Sequence, residues 1–185
     1  MTRRAEMLEL AILGMLHDSP MHGYELRKQV HRVLGTVRAM SYGTLYPRLR
    51  DLVQRGLITE VQRPETGRRA RITYAVTPAG AARFSELMAA AGPQSWEDGA
   101  FDVHFAFFGR ADRAVRLRIL EGRRARLEER LEDFRRNAPL PGRPEDGYAQ
   151  ELHRHGLESA ERDLRWISGL IESERRAADT GSAHL

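Results

Sequence analysis

The residues in this chain best suited to chemistry are arginines, tyrosines and hydroxyls set close together. Thr44, Arg48, Asp51 and Arg55 follow one another at spacings of 4, 3 and 4, so a helix would carry them on one face. Ser41, Tyr42 and Tyr46 cluster at the N-terminal end of the same stretch. A helix N-terminus bearing hydroxyls suits phosphate oxygens and base edges together. Arg48 is the candidate for bidentate reading of a guanine, a contact worth roughly 1–3 kcal/mol of discrimination. Asp51 would repel a phosphate, so it is read as orienting an arginine. Farther on, Arg63, Arg68, Arg69 and Arg71 surround Gly67 in a turn. A basic tip of that kind lies along phosphates or reaches into a minor groove. One such arginine alone is a solvated turn residue. Four beside a polar helix face point to a polyanion.

Other chemistries fare worse. Cysteine is absent, which excludes a disulfide framework, a thiolate zinc site and a cysteine nucleophile. His153 and His155 are two apart, so on a helix they face different ways, and no carboxylate set completes a metal site. Glu128 with Glu132, and Glu158 with Glu161, have helix-surface spacing beside arginines, which ion pairing explains. There is no phosphate-cradling glycine loop and no Gly-x-Ser-x-Gly. The expectation is a protein that is not an enzyme and uses no cofactor or metal.

The elements that must position these residues can be read from periodicity. The chain has 185 residues, 41 % of them hydrophobic and 30 % charged, enough for a core and for one or two domains. Leu8, Ala11, Ile12, Met15 and Leu16 mark a helix over 4–17, which Asp18-Ser19-Pro20 breaks. Leu26, Val30 and Val33 mark a second over 22–34. A third begins near Ser41 or Thr44 and runs to Arg55, burying Leu45, Leu49 and Leu52, with Gly56 as its stop. If Thr44 caps it, Pro47 falls harmlessly in the first turn. Leu57 to Val61 forms a strand candidate, and Ile72, Tyr74 and Val76 alternate in another. Thr77-Pro78 then gives an N-cap with proline at the first helical position of a helix running to about Ala91. After the aromatic segment Phe101 to Phe108 come two long helices, separated by the Pro/Gly-rich stretch Asn137 to Gly147.

The fold class expected is mainly α. An N-terminal winged helix-turn-helix, three helices plus a two-stranded wing, occupies 1–84. A C-terminal helical dimerisation domain occupies 85–185. Charge follows the same division. Residues 1–80 hold 13 Arg and Lys against 7 Asp and Glu, and residues 81–185 hold 17 against 19. One part is built to meet a polyanion and the other is not. No apolar run approaches the roughly 18 residues of a membrane span. The start, Met1-Thr2-Arg3-Arg4-Ala5-Glu6, does not read as a signal peptide, so the expectation is a cytoplasmic protein without membrane contact.

Several motifs, in order, resemble the PadR family of bacterial transcription regulators. They are Ile12-Leu13-Gly14-Met15-Leu16, Pro20-Met21-His22-Gly23-Tyr24-Glu25-Leu26, Ser41-Tyr42-Gly43-Thr44-Leu45-Tyr46-Pro47-Arg48-Leu49 and Gly56-Leu57-Ile58. Gly67-Arg68-Arg69 and Tyr74-Ala75-Val76-Thr77-Pro78-Ala79-Gly80 look like that family's wing and fourth helix. The stretch from His155-Gly156-Leu157-Glu158 to Arg165-Trp166-Ile167 is similar to the C-terminal domain of a branch named after a virulence activator. The resemblance implies a homodimer on a pseudo-palindromic double-stranded DNA operator, most often acting as a repressor. It implies that Tyr42, Gly43, Thr44, Tyr46 and Arg48 lie on the reading helix, that Arg68 and Arg69 lie on the wing, and that His22 and Tyr24 open the second helix near the DNA backbone.

In the second half, Leu157, Ala160, Leu164, Ile167 and Ile171 are spaced 3, 4, 3 and 4, a coiled-coil-like seam. Leu117, Leu120, Leu127, Leu131 and Phe134 form another, with Arg124 in one slot. The first seam is read as a surface shared with a second copy, with Trp166 as an anchor. The alternative is a hairpin in which the two seams cover each other. Trp96, Phe101, Phe105 and Phe108 are the candidate pocket for a small aromatic or hydrophobic effector, although most such clusters are simply core. A rival in a different class is a winged-helix protein-docking module without specific DNA binding.

Overall fold

In a computed structural model, residues 3–34, 42–61, 72–138 and 147–181 are described. They form two compact units, Met1–Ala91 with Asp98–Asp112, and Gly92–Glu97 with Arg113–Leu185.

The first unit holds α1 (Arg3–Asp18), β1 (Met21–His22), α2 (Gly23–Leu34), α3 (Tyr42–Gln54), β2 (Ile58–Val61), β3 (Thr73–Val76), α4 (Pro78–Ala89) and α5 (Asp98–Phe105). The winged-helix order read from the sequence is present, with one addition. The sheet has three antiparallel strands in the order β1-β3-β2, because Met21 and His22 pair with Tyr74 and Thr73. Two residues carry no periodicity, so this strand left no sequence signal. His22 therefore lies on β1, and α2 opens at Gly23 rather than at His22. The His22 Nδ1 and the Thr73 hydroxyl are hydrogen-bonded at 2.8 Å. Ile72, expected to alternate inward, is exposed outside the strand, while Thr73 and Tyr74 are buried.

Leu8, Leu10, Ile12, Leu13 and Leu16 of α1 are all buried, and α1 packs on α2, α4 and β3. α3 buries Leu45, Leu49 and Leu52, as its spacing predicts. The helix starts at Tyr42, so Pro47 sits in its interior and not in its first turn. Pro47 itself is exposed, so its ring displaces no core side chain. The C-terminus of α3 closes as a Schellman motif: Gly56 has φ of +68°, its N–H donates to Val53 O at 3.0 Å, and Leu57 N–H donates to Leu52 O at 2.9 Å.

Thr77 caps α4 as the sequence indicates, its hydroxyl accepting from Gly80 N–H at 3.1 Å. The same hydroxyl donates to Gly56 O at 2.6 Å, with Leu57 O at 3.1 Å. α4 lies so close that a Cβ on Gly80 would stand 1.9 Å from Leu57 O. The start of α4 is thereby fixed to the end of α3.

The second unit holds α6 (Arg113–Arg136) and α7 (Gly147–Gly181), packed on each other, with the short 3-10 turn Pro93–Trp96 against α6. Gly156 on α7 faces Phe134 on α6, where a Cβ would come 2.6 Å from the ring, and Gly122 faces Trp96 in the same way at 2.0 Å. Arg116 donates through Nε and Nη2 to the two carboxylate oxygens of Glu174, both at 2.9 Å. Arg113 donates to the carbonyls of Glu174 and Arg175, and Arg175 pairs with Glu121 at 2.7 Å. Among the described residues no helix is long and apolar enough to cross a membrane, and no group of three or more His, Cys, Asp or Glu could hold a metal ion.

Candidate nucleic-acid interface

α3 positions the expected reading residues. With its leucine face buried, Thr44, Tyr46, Pro47 and Arg50 are exposed. Tyr42 and Gly43 open the helix, while Ser41 and the wing arginines Arg63, Arg68, Arg69 and Arg71 lie outside the described residues. Tyr24, on the first turn of α2, is 67 % exposed, and the Arg27 guanidinium stands over its ring at 5.4 Å. The Tyr46 and Tyr74 rings flank Gly23, where a Cβ would lie 3.5 Å from one and 3.4 Å from the other. Burial, then the nearby Glu60 and Tyr46, push the Tyr74 phenol above its ordinary 10.0, with Arg50 acting the other way.

The face expected to carry Arg48 and Arg55 outward is organised differently. Both guanidiniums donate through Nη1 to Asp51 Oδ2, at 2.9 Å from Arg48 and 3.2 Å from Arg55. Asp51 thus orients arginines, as its type suggested. Arg55 also grips Glu9 of α1, at 2.8 Å to Oε2 and 3.1 Å to Oε1. Arg83 of α4 donates to Glu9 Oε1 at 2.9 Å, and Arg48 lies 3.9 Å from Oε2. The Glu9 side chain is fully buried, while Arg48 keeps only 15 % exposure and Arg55 34 %. Burial alone would push the Glu9 carboxyl up, but the hydrogen bonds from Arg55 and Arg83 outweigh it and hold the group below its ordinary 4.5. The Arg48 hydrogen bond, against a smaller effect of burial, holds Asp51 below 3.8.

Reading from the sequence missed Glu9, Arg83 and Arg50. A signal for Glu9 existed. It stands between Leu8 and Leu10 and one turn before Leu13, where an acid on the core side of a helix needs a partner. The aromatic candidates separate. Phe101, Phe105 and Phe108 lie in the first unit and pack on one another, with ring centroids 5.0–6.5 Å apart. Trp96 lies in the second unit against Gly122, and its carbonyl accepts from Arg123 at 2.6 Å. Of the expected dimer seam, Ala160, Ile167 and Ile171 are buried within the single chain, Leu157 and Leu164 are half-buried, and Trp166 is 49 % exposed. The hairpin of α6 and α7 supplies much of the cover that a second copy was expected to give.

Three helices, the third with a polar outer face, and an antiparallel sheet make up a winged helix-turn-helix fold. Residues 12–86 match the model of the transcriptional regulator PadR-like family. No curated protein sequence matches. Among solved structures, Bacillus subtilis PadR in complex with operator DNA is similar at 19 % identity over 90 % of this chain and 98 % of that one, with a TM-score of 0.44. The same protein in complex with p-coumaric acid aligns at 19 % identity over 91 % and 99 %, with a TM-score of 0.40. The putative transcriptional regulator TA0346 from Thermoplasma acidophilum is 28 % identical over 44 % of this chain and 77 % of that one, with a TM-score of 0.40.

Proposed function

We propose that this chain is a sequence-specific DNA-binding regulator that represses transcription as a homodimer on a pseudo-palindromic operator. The observation that carries the reading is α3 itself. Its leucine face is buried and its polar face, with Thr44 and Tyr46, is exposed. A major groove admits one such helix. Tyr24 and His22, beside it, belong to the same surface in this reading, as do Ser41, Tyr42, Gly43 and the arginines Arg63, Arg68, Arg69 and Arg71. Arg48 enters as a base contact that has to exchange Asp51 for a guanine edge.

Dimerisation sets two reading helices about one DNA turn apart, roughly 34 Å. α5 belongs by its packing to the first unit, so pairing falls to α6 and α7. Tyr148, Leu152 and Trp166 of α7 are exposed, and Tyr148 and Trp166 are 18 residues apart, so one stripe of the helix carries both. A small aromatic or hydrophobic effector that releases DNA completes the reading, and the partner DNA sets a cytoplasmic location. The test is fluorescence anisotropy on the DNA upstream of the chain's own gene against scrambled DNA, at two salt concentrations. Nanomolar binding with at least a roughly thousandfold preference supports it. Equal binding to both sequences overturns sequence-specific reading.

A further inference from the structure

Two arginines lie on α3 and a third, Arg55, follows its last residue, and the structure divides their work. Arg48 and Arg55 face protein carboxylates. Together with Arg83 they meet Glu9, Asp51 and Glu86, the last at 3.2 Å from Arg83, in a cluster of three cations and three anions. Such a cluster carries no net charge to a polyanion. Pulling Arg55 outward would also strip a fully buried carboxylate of its bidentate partner. Arg50 is different. It is exposed, and it makes no hydrogen bond or ion pair among the described residues. It follows Tyr46 by four residues, so the two share one stripe of α3, on the side where Tyr46 borders the first turn of α2. Tyr24 and Arg27 stand on that same turn. Glu60 pairs with Tyr74 across the sheet, and Glu25 is the acid in the first turn of α2.

We infer that Arg50 supplies the phosphate contact of α3, while Asp51 keeps Arg48 in place for a base edge and Glu9 keeps Arg55 as part of the frame. The inference rests on the DNA-binding reading above. A phosphate suits Arg50 better than a base does. Bidentate base reading needs a guanidinium fork held in one orientation, and no partner among the described residues holds this one. The phosphate-facing charge of the helix is then set by Arg50.

The experiment is a salt titration of DNA binding by the full chain, comparing wild type, Arg50→Ala and Arg48→Ala on one fragment. Each phosphate contact contributes about 0.9 to the slope of log affinity against log salt. Arg50→Ala is expected to make the slope shallower by about 0.9 for each Arg50 engaged, with an unchanged melting temperature. Arg48→Ala is expected to keep the wild-type slope. An unchanged slope in Arg50→Ala overturns the inference while leaving DNA binding intact, and so does loss of slope in Arg48→Ala alone. A wild type that binds no DNA at low salt overturns both the inference and the reading beneath it.

Discussion

Glu9 and Glu174 accept the same chemistry in different surroundings. Each takes a two-pronged grip from one arginine, Arg55 in the first unit and Arg116 in the second. Glu9 is sealed from solvent and takes Arg83 as well, whereas Glu174 and Arg116 both reach water at 24 % exposure. A sealed carboxylate cannot fall back on solvent when a partner leaves, so it fixes the helices that bring its arginines. A wetted one can, so it marks the register of a hairpin already held by apolar contacts. The glycines repeat the contrast. Gly80 meets backbone at Leu57, while Gly156 and Gly122 meet aromatic side chains.

The largest effect expected is from Glu9→Ala. It takes away the partner that Arg55 and Arg83 share, leaving Arg55 with Asp51 and Arg83 with Glu86, and should cost about 3–4 kcal/mol in urea unfolding, toward the low end for breaking a buried pair. Gly80→Ala should follow, at about 3 kcal/mol, because the carbonyl it strikes is held by Thr77 and cannot yield. Acid should expose the same carboxylate. Glu9 is held below 4.5 in the folded state, so its contribution is complete above that pH and is lost as pH falls through the folded value. Stability measured from pH 6 downward should therefore fall less steeply below 4.5 in Glu9→Gln than in wild type. Glu174→Ala should be the mildest, at about 0.5–1 kcal/mol. A cost for Glu174→Ala equal to that of Glu9→Ala would show that solvent access does not separate the two sites.

Much of this architecture is legible in the sequence, for local reasons. Leu45, Leu49 and Leu52 repeat at helical spacing, and Thr77-Pro78 announces a cap that the Gly80 amide then uses. What escapes is non-local. Arg55 and Glu9 are 46 residues apart, so spacing within α3 shows Arg55 on an open face while an acid in another helix claims it. β1 is too short to show a period. The seam of Leu157 to Ile171 is plain, yet a 3-4 spacing does not say whether its cover comes from the same chain or another. Gly156 lying over Phe134 supplies the missing information, since a residue without a side chain there admits the neighbouring helix of the same hairpin.

The sheet has one more consequence, for how such a chain can change over generations. Val61 and Thr73 form the last described rung of the β2–β3 pair, and Thr73 is tied on its other side to His22. The stretch between Val61 and Thr73 is therefore closed at its base by contacts that its own length does not affect. Doubling such a stretch costs only about 0.6 kcal/mol of closure entropy. Insertions and deletions there would leave the α1–α3–α4 frame unmoved. A lineage could lengthen or shorten the sequence between those two residues while inheriting the frame unaltered.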